Sequence, residues 1–205
     1  FGSYPCRNIN QNMADLSAQI AANTTGLKEL QKITTQFGID TVHAYMAHVQ
    51  ANAEESVRRV LDVLHDCKFT CPLDSGDQIQ VAITVHKKQR TPTIDFTRTS
   101  PQNEWHCNAL LAICRAVVLY VFRTLVGTDI PMNGGCLKPL TLIVPKGSMI
   151  NPGSPAAVSS GNTEVSQAIA DTLYGALSVI VGSQGTMNNF VYGNISWYSL
   201  VFKIN

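Results

Sequence analysis

The sequence predicts an α+β (mixed α/β) fold. Apolar residues recur at helical spacing over the first 65 positions, and a period of two takes over near Ile79. Helical and short strand patterns then follow one another beyond Asn108. A run of helix, hairpin, helix, strand and helix is the order expected of α+β or mixed α/β domains rather than of a bundle or a sandwich.

The elements follow in order. Asn8 to Thr35 reads as a long amphipathic helix, because Met13, Leu16, Ile20, Leu27 and Leu30 stand three, four or seven apart and share one face. Gln36-Phe37-Gly38-Ile39 interrupts the pattern, and Asp40 can cap a second helix by accepting from free amides of its first turn. That helix is expected to run to about His65, with Val42, Met46, Val49, Ala53, Val57, Val60 and Leu64 inward. Glu54 and Glu55 precede Arg58 and Arg59 by four residues, a favourable order for exposed ion pairs. The two helices are expected to form a long antiparallel hairpin with Leu16, Ile20, Val49 and Val57 on a core.

Ile79, Val81, Ile83 and Val85 alternate with Gln80, Ala82 and Thr84, and Thr93 to Thr97 supplies a second strand across the loop His86 to Pro92. Together they predict a β-hairpin. Asn108 to Val126 returns to helix, and Leu140 to Val144 is a short strand between Pro139 and Pro145. Asn162 to Val181 is a third long helix, with Glu164 in its positive first turn. Gly182 to Gly193 reads as a polar loop. The expected organisation is 1–66 helical hairpin, 67–194 mixed α/β part and 195–205 divergent tail.

Composition narrows the function classes. Only 14% of the 205 residues are charged, well below the usual quarter, which points to surfaces that are covered in a larger assembly. Net charge is +1, and the densest basic cluster is Lys87-Lys88-Gln89-Arg90. That is too little to neutralise several phosphates, so nucleic acid is not expected as a partner. The most apolar run, Ala109 to Val126, is broken by Arg115 and Arg123, so no membrane span is expected. The amino end has no signal-peptide pattern, and the six cysteines are expected to be reduced buried thiols in a cytoplasmic protein.

Few motifs carry chemistry. His43 and His48 are five apart and lie on different sides of a helix, and Cys67-x-x-x-Cys71 has no second pair at zinc spacing. Cys107 beside His106, and Cys136 in Asn133-Gly134-Gly135-Cys136-Leu137, are possible nucleophiles, but structural thiols are the better reading. No phosphate-loop or dinucleotide pattern occurs. Two polar loops remain. Ser159 to Gln167 opens a helix, where free amides with Asn162 and Ser166 suit a carboxylate or developing oxyanion. Ser183-Gln184-Gly185-Thr186-Met187-Asn188-Asn189 is dense in uncharged donors and acceptors that suit an amide or carbonyl. The same residues can instead form a helix cap and a turn network.

At these loops the chain resembles the hydantoinase B/5-oxoprolinase family. The resemblance is carried by Arg7-Asn8-Ile9-Asn10-Gln11-Asn12-Met13-Ala14-Asp15-Leu16, Ala18 to Asn23, Thr41 to Met46 and Gln50 to Glu54. It continues through Asp95-Phe96-Thr97, Asp129-Ile130-Pro131, Gly135 to Pro139, Gly161-Asn162 with Ser166-Gln167, and Ser183 to Asn189. These stretches keep family order from Arg7 to Asn194. The family usually has Gly where Arg98 stands, and of its Gly-Asn-x-Asn-Ala-Pro-like run only Asn108 and Ala109 match. The resemblance implies a fragment of an ATP-dependent hydrolase that opens cyclic amides such as 5-oxoproline or hydantoin. It also implies ATP and a divalent metal for the complete enzyme, a hydantoinase A-like subunit or domain as partner, and an oligomer. The substrate-binding residues it implies are Asn162, Ser166, Gln167, Ser183, Gln184, Thr186, Asn188 and Asn189; no catalytic residue is assigned. Kindred readings are a non-catalytic remnant or interaction module of the family, and part of a ketone carboxylase subunit.

Overall fold

The helix α1, Ile9–Phe37, begins at Asn8, whose side chain accepts the Gln11 amide at 3.0 Å. It ends at Gly38, where φ of +82° is a conformation that only glycine adopts without strain. This structure is a computed structural model, and it describes residues 8–182, 189–192 and 200–203. A second helix, α2, Ile39–Val63, starts directly after Gly38, so the two helices are separated by one residue. Asp40 therefore sits inside the first turn of α2 instead of capping it, while the Gly38 carbonyl accepts the Val42 amide at 3.2 Å.

The chain divides into two compact units, Phe1–Val49 and Gln50–Asn205, and the division falls inside α2. In the first unit α1 has no buried residue. Leu16 and Ile20, expected on a core, are 51% and 66% exposed, and Val49 is 41% exposed. Of the four residues assigned to that core, Val57 alone is buried. The periodicity reported an amphipathic helix correctly, but an apolar face needs a covering surface that this stretch does not contain.

The second unit is built on a four-stranded sheet. Strands β1, Cys67–Pro72, β2, Gln78–His86, and β3, Thr91–Asp95, are antiparallel neighbours, and β4, Thr141–Ile143, adds parallel to β3. On β2 the alternation read from sequence holds, for Ile79, Val81, Ile83 and Val85 are all buried. The β2–β3 hairpin turns through Lys87 to Arg90, where Arg90 takes φ of +51°. β1 was not foreseen: one of its faces carries Cys67, Phe69 and Cys71, too short and too cysteine-rich a set to register as a strand.

Helix α4, Ser166–Leu177, packs on β1 and β2, and α3, Leu111–Thr124, packs against α4. Cys114, Val118, Val121 and Phe122 of α3 and Ile169, Leu173 and Ala176 of α4 join the sheet residues in one core. The later turns of α2 contribute Ala53, Val57 and Leu61 at spacing four, each buried. α4 rides close over β1, and a side-chain carbon on Gly175 would stand 2.9 Å from the Phe69 ring.

The basic cluster in the hairpin turn has a structural use. Lys87 Nζ donates to the carbonyls of Asp62 and Leu64 at the carboxyl end of α2, satisfying acceptors that the helix leaves open. Arg90 reaches Asp62 at 2.8 Å and Glu55 at 3.1 Å, and Arg58 donates to the Gln89 and Arg90 carbonyls. The expected Glu54–Arg58 and Glu55–Arg59 pairs form at 2.6 and 3.6 Å.

Beyond α4 the polar stretch 182–193, read as a loop, contains strand β5, Asn189–Tyr192, which pairs antiparallel with β6, Leu200–Lys203. Among the described residues no helix is long and apolar enough to cross a membrane.

Candidate functional site

A one-turn π helix, Gly161–Val165, precedes α4, so the helix expected from Asn162 changes hydrogen-bond pattern at its start. The Ser160 carbonyl accepts the amides of Thr163, Glu164 and Val165 at 3.4, 3.0 and 3.1 Å. Ser166 N–H bonds to the Gly161 carbonyl. Three of the amides expected to be free at this helix start, those of Thr163, Glu164 and Val165, therefore already have an acceptor. What the π turn does instead is widen the helix by one residue, which spreads its side chains over two surfaces.

The turn is pressed against the loop before α3. A side-chain carbon on Gly161 would lie 2.7 Å from the Asn108 carbonyl and 3.0 Å from the Ala109 Cα, so only glycine fits. Asn108 is fully buried and ties the loop together. Its Oδ1 accepts the Asn103 amide at 3.0 Å, while its Nδ2 donates to the carbonyls of Asn103, Trp105 and Ala157 at 3.0, 2.9 and 2.9 Å.

On one side of the turn lies a groove of about 340 Å³ between α3 and α4. Ile113, Ala116, Val117 and Ala170 supply its apolar lining, and Tyr120, Asn162, Ser166 and Gln167 its polar lining. Asn162 is exposed. Ser166 Oγ donates to the Thr163 carbonyl at 3.3 Å, which leaves its lone pairs outward. Gln167 Nε2 donates to Asp171 Oδ1 at 3.0 Å, which fixes the amide and leaves its carbonyl oxygen as an acceptor. Thus three residues singled out in the sequence share one surface. Tyr120 was not anticipated, although Ile113, Ala116, Val117 and Tyr120 stand at i, i+3, i+4 and i+7 and so had to share a helix face.

On the other side stands Cys107. Its Sγ lies 3.9 Å from Glu164 Oε2, and Ser160 is its other polar neighbour. Burial first, then the Glu164 carboxylate, push the thiol up from its ordinary range, so it is held protonated and is a poor nucleophile. His106 meets this cluster through its backbone, accepting the Ser160 amide at 3.1 Å. Cys136 is fully buried in a one-turn 3₁₀ helix, Gly134–Leu137, capped by Asn133. Gly135 there is needed for close approach, since a side-chain carbon would meet the Gln50 carbonyl at 2.1 Å. The described cysteines, Cys67, Cys71, Cys107, Cys114 and Cys136, are free thiols, and the first three are only half-buried.

Ser183, Gln184, Thr186 and Asn188 lie outside the described residues, and Asn189 begins β5.

With this geometry in hand, the whole chain can be compared with known proteins. Residues 3–202 match the family described as hydantoinase B/oxoprolinase. The chain belongs to that family. It is 39% identical over 202 residues to a 5-oxoprolinase of Saccharomyces cerevisiae, covering 94% of this chain and 16% of the yeast protein. A 5-oxoprolinase 1 of Arabidopsis thaliana is 38% identical over 204 residues, with 92% of this chain and 16% of the relative covered. The chain therefore spans about one sixth of the length of these relatives. Among solved structures, the ATP-dependent caprolactamase of Pseudomonas jessenii superposes with a TM-score of 0.65 at 18% identity, over 90% of this chain and 33% of that one. This family member thus shares the caprolactamase fold across most of its length.

Proposed function

We propose that this chain contributes the ring-holding surface of an ATP-dependent cyclic-amide hydrolase of the 5-oxoprolinase/hydantoinase B type, acting on 5-oxoproline or hydantoin. The observation that carries the reading is the make-up of the α3–α4 groove, which joins the apolar Ile113, Ala116, Val117 and Ala170 to the polar Asn162, Ser166 and Gln167. The lactam ring of 5-oxoproline combines the same characters: ring methylenes on one edge and a carbonyl with an adjacent N–H on the other. The methylenes would lie on Ile113, Val117 and Ala170. Asn162 Nδ2 would donate to the ring carbonyl and draw electron density from its carbon, while Gln167 Oε1, oriented by Asp171, would accept the ring N–H. Yeast and plant relatives named as 5-oxoprolinases, and a fold neighbour that is an ATP-dependent caprolactamase, support the substrate class.

Among the described residues no three His, Cys, Asp or Glu side chains gather as metal ligands. The sequence has no phosphate-loop pattern. ATP and a divalent metal belong, on this reading, to the complete enzyme with its hydantoinase A-like subunit or domain. A cytoplasmic setting and a place in glutathione turnover follow if 5-oxoproline is the substrate.

The direct test is a titration of the purified chain with 5-oxoproline, hydantoin and caprolactam, followed by amide chemical shifts. Each lost neutral hydrogen bond is worth about 0.5–1.5 kcal/mol, so Asn162→Ala and Gln167→Ala should each weaken binding by about two- to tenfold. Unchanged affinity in both variants, or shifts that map away from α3 and α4, would remove the groove from consideration. A second assay adds ATP and a hydantoinase A-like partner and asks whether Asn162→Ala lowers turnover in the reconstituted enzyme.

A further inference from the structure

The polar lining of the α3–α4 groove is mostly acceptor, because its protons are already placed. The Thr124 hydroxyl has one proton, and it lies on the Val121 carbonyl at 2.7 Å. The 2.9 Å contact between Thr124 Oγ1 and Tyr174 Oη is therefore made by the Tyr174 proton. Burial first, with Tyr120 and Asp171 adding to it against a smaller pull from Thr124, pushes the Tyr174 phenol up from its ordinary range, so that proton stays in place. Tyr174 Oη is left with lone pairs alone, and the neighbouring Tyr120 hydroxyl can meet them only as a donor. What Tyr120 then offers the groove is an acceptor oxygen.

Two more acceptors line the same groove. Ser166 donates its proton to the Thr163 carbonyl, and the Gln167 N–H on Asp171 leaves Oε1 as an acceptor. The Asp171 carboxylate thus adds negative charge behind a set of three neutral acceptors, Tyr120 Oη, Ser166 Oγ and Gln167 Oε1. Among the described residues none that lines the groove is cationic. A closed lactam brings a single N–H, which one acceptor satisfies. The surplus suits a nitrogen with more protons and a positive charge.

Opening the ring makes that nitrogen. Water adds its oxygen to the ring carbonyl carbon, the C–N bond breaks, and the bonding pair stays on nitrogen, which takes both water protons. The carbon ends as a carboxylate and the nitrogen as an ammonium with three N–H donors. We infer that Tyr120, Ser166 and Gln167 form a subsite for the leaving nitrogen, which holds the ammonium of the opened ring more tightly than the N–H of the closed one. It selects lactams, whose nitrogen departs as an alkylamine; a hydantoin nitrogen departs as the neutral end of a urea. The inference rests on the reading of the groove given above and adds a direction to it, since bonds to nitrogen multiply as the C–N bond breaks.

Amide chemical shifts of the full chain test it with 5-oxoproline, with glutamate, its opened form, and with glutarate, which is glutamate without the ammonium. Glutamate should bind at α3 and α4 about tenfold more tightly than glutarate, the worth of one hydrogen bond to a charged group. Tyr120→Phe, which keeps the ring and removes the oxygen, and Ser166→Ala should each weaken glutamate at least about threefold more than they weaken 5-oxoproline. If 5-oxoproline shifts α3 and α4 but glutamate and glutarate bind alike, or if both variants weaken lactam and opened product equally, the subsite is refuted and the groove reading stands. If neither 5-oxoproline nor glutamate shifts those helices, the two fall together.

Discussion

Replacing Asn108 by alanine probes whether one buried amide holds the loop that positions the site. The side chain serves four backbone groups at 2.9–3.0 Å, the Asn103 amide and the carbonyls of Asn103, Trp105 and Ala157. Alanine deletes all of these bonds and leaves the N–H of half-buried Asn103 without its acceptor. An orphaned buried donor costs about 1–3 kcal/mol, and the lost neutral bonds add about 1 kcal/mol between them once carbonyls rebind water, for a loss of about 2–4 kcal/mol. Asn108→Asp should do no better. It keeps the acceptor but turns a carboxylate toward the Trp105 and Ala157 carbonyls. Urea unfolding measures the loss, and hydrogen exchange at the Asn103 amide should speed up in both variants. A loss below about half a kcal/mol with unaltered urea dependence would refute the assignment of Asn108 as the tie of this loop.

Three further outcomes are expected. Gly135→Ala should destabilise by about 1–3 kcal/mol, because the new carbon meets the Gln50 carbonyl at 2.1 Å, whereas Gly134→Ala, with no atom within 4 Å, should be near neutral in the same urea experiment. The Arg90 guanidinium beside Asp62 holds that carboxyl below its ordinary range. A depressed folded value contributes stability above the unfolded pKa of about 3.9, lost as pH falls through the folded value, so Asp62→Asn should flatten the acid limb of a stability profile below about pH 4. The Cys107 thiol is held up by burial and by Glu164, so its alkylation by iodoacetamide at pH 8, followed on its own peptide, should be slow and should quicken in Glu164→Gln. Cys114, pushed up to about 12 chiefly by burial, should not react in the native chain.

Sequence patterning reached the parts of this fold that depend on neighbours along the chain. The alternation at Ile79 to Val85 named the buried face of β2, and Asn162, Ser166 and Gln167 were selected as a polar group before their common groove was visible. What failed depended on groups brought from elsewhere. Asn162 was read with free amides, but the Ser160 carbonyl claims three of them, and no local spacing announces a π turn. Leu16 and Ile20 were assigned to a core because periodicity shows that a helix has two faces and is silent on what meets the apolar one. Asn108 looked like a remnant of a family pattern, and its role became visible only with the Ala157 carbonyl, 49 residues away, beside it.

The parallel pairing of β3 with β4 also shapes how the chain reaches this fold. Strands β1, β2 and β3 are joined by short connections and can pair as soon as they are made, through contacts such as Ile83 with Ile94. Strand β4 must come back from Thr141 to lie beside Thr93, enclosing α3 and the Asn108 loop in one long excursion. The chain entropy of closing that loop has to be met before the three short rungs of β4 return anything. The order of events is therefore set by topology. On this argument the antiparallel meander is expected to pair before β4 closes its long loop. A chain caught before that closure would hold its antiparallel strands together while the excursion that carries α3, one wall of the candidate groove, is still open.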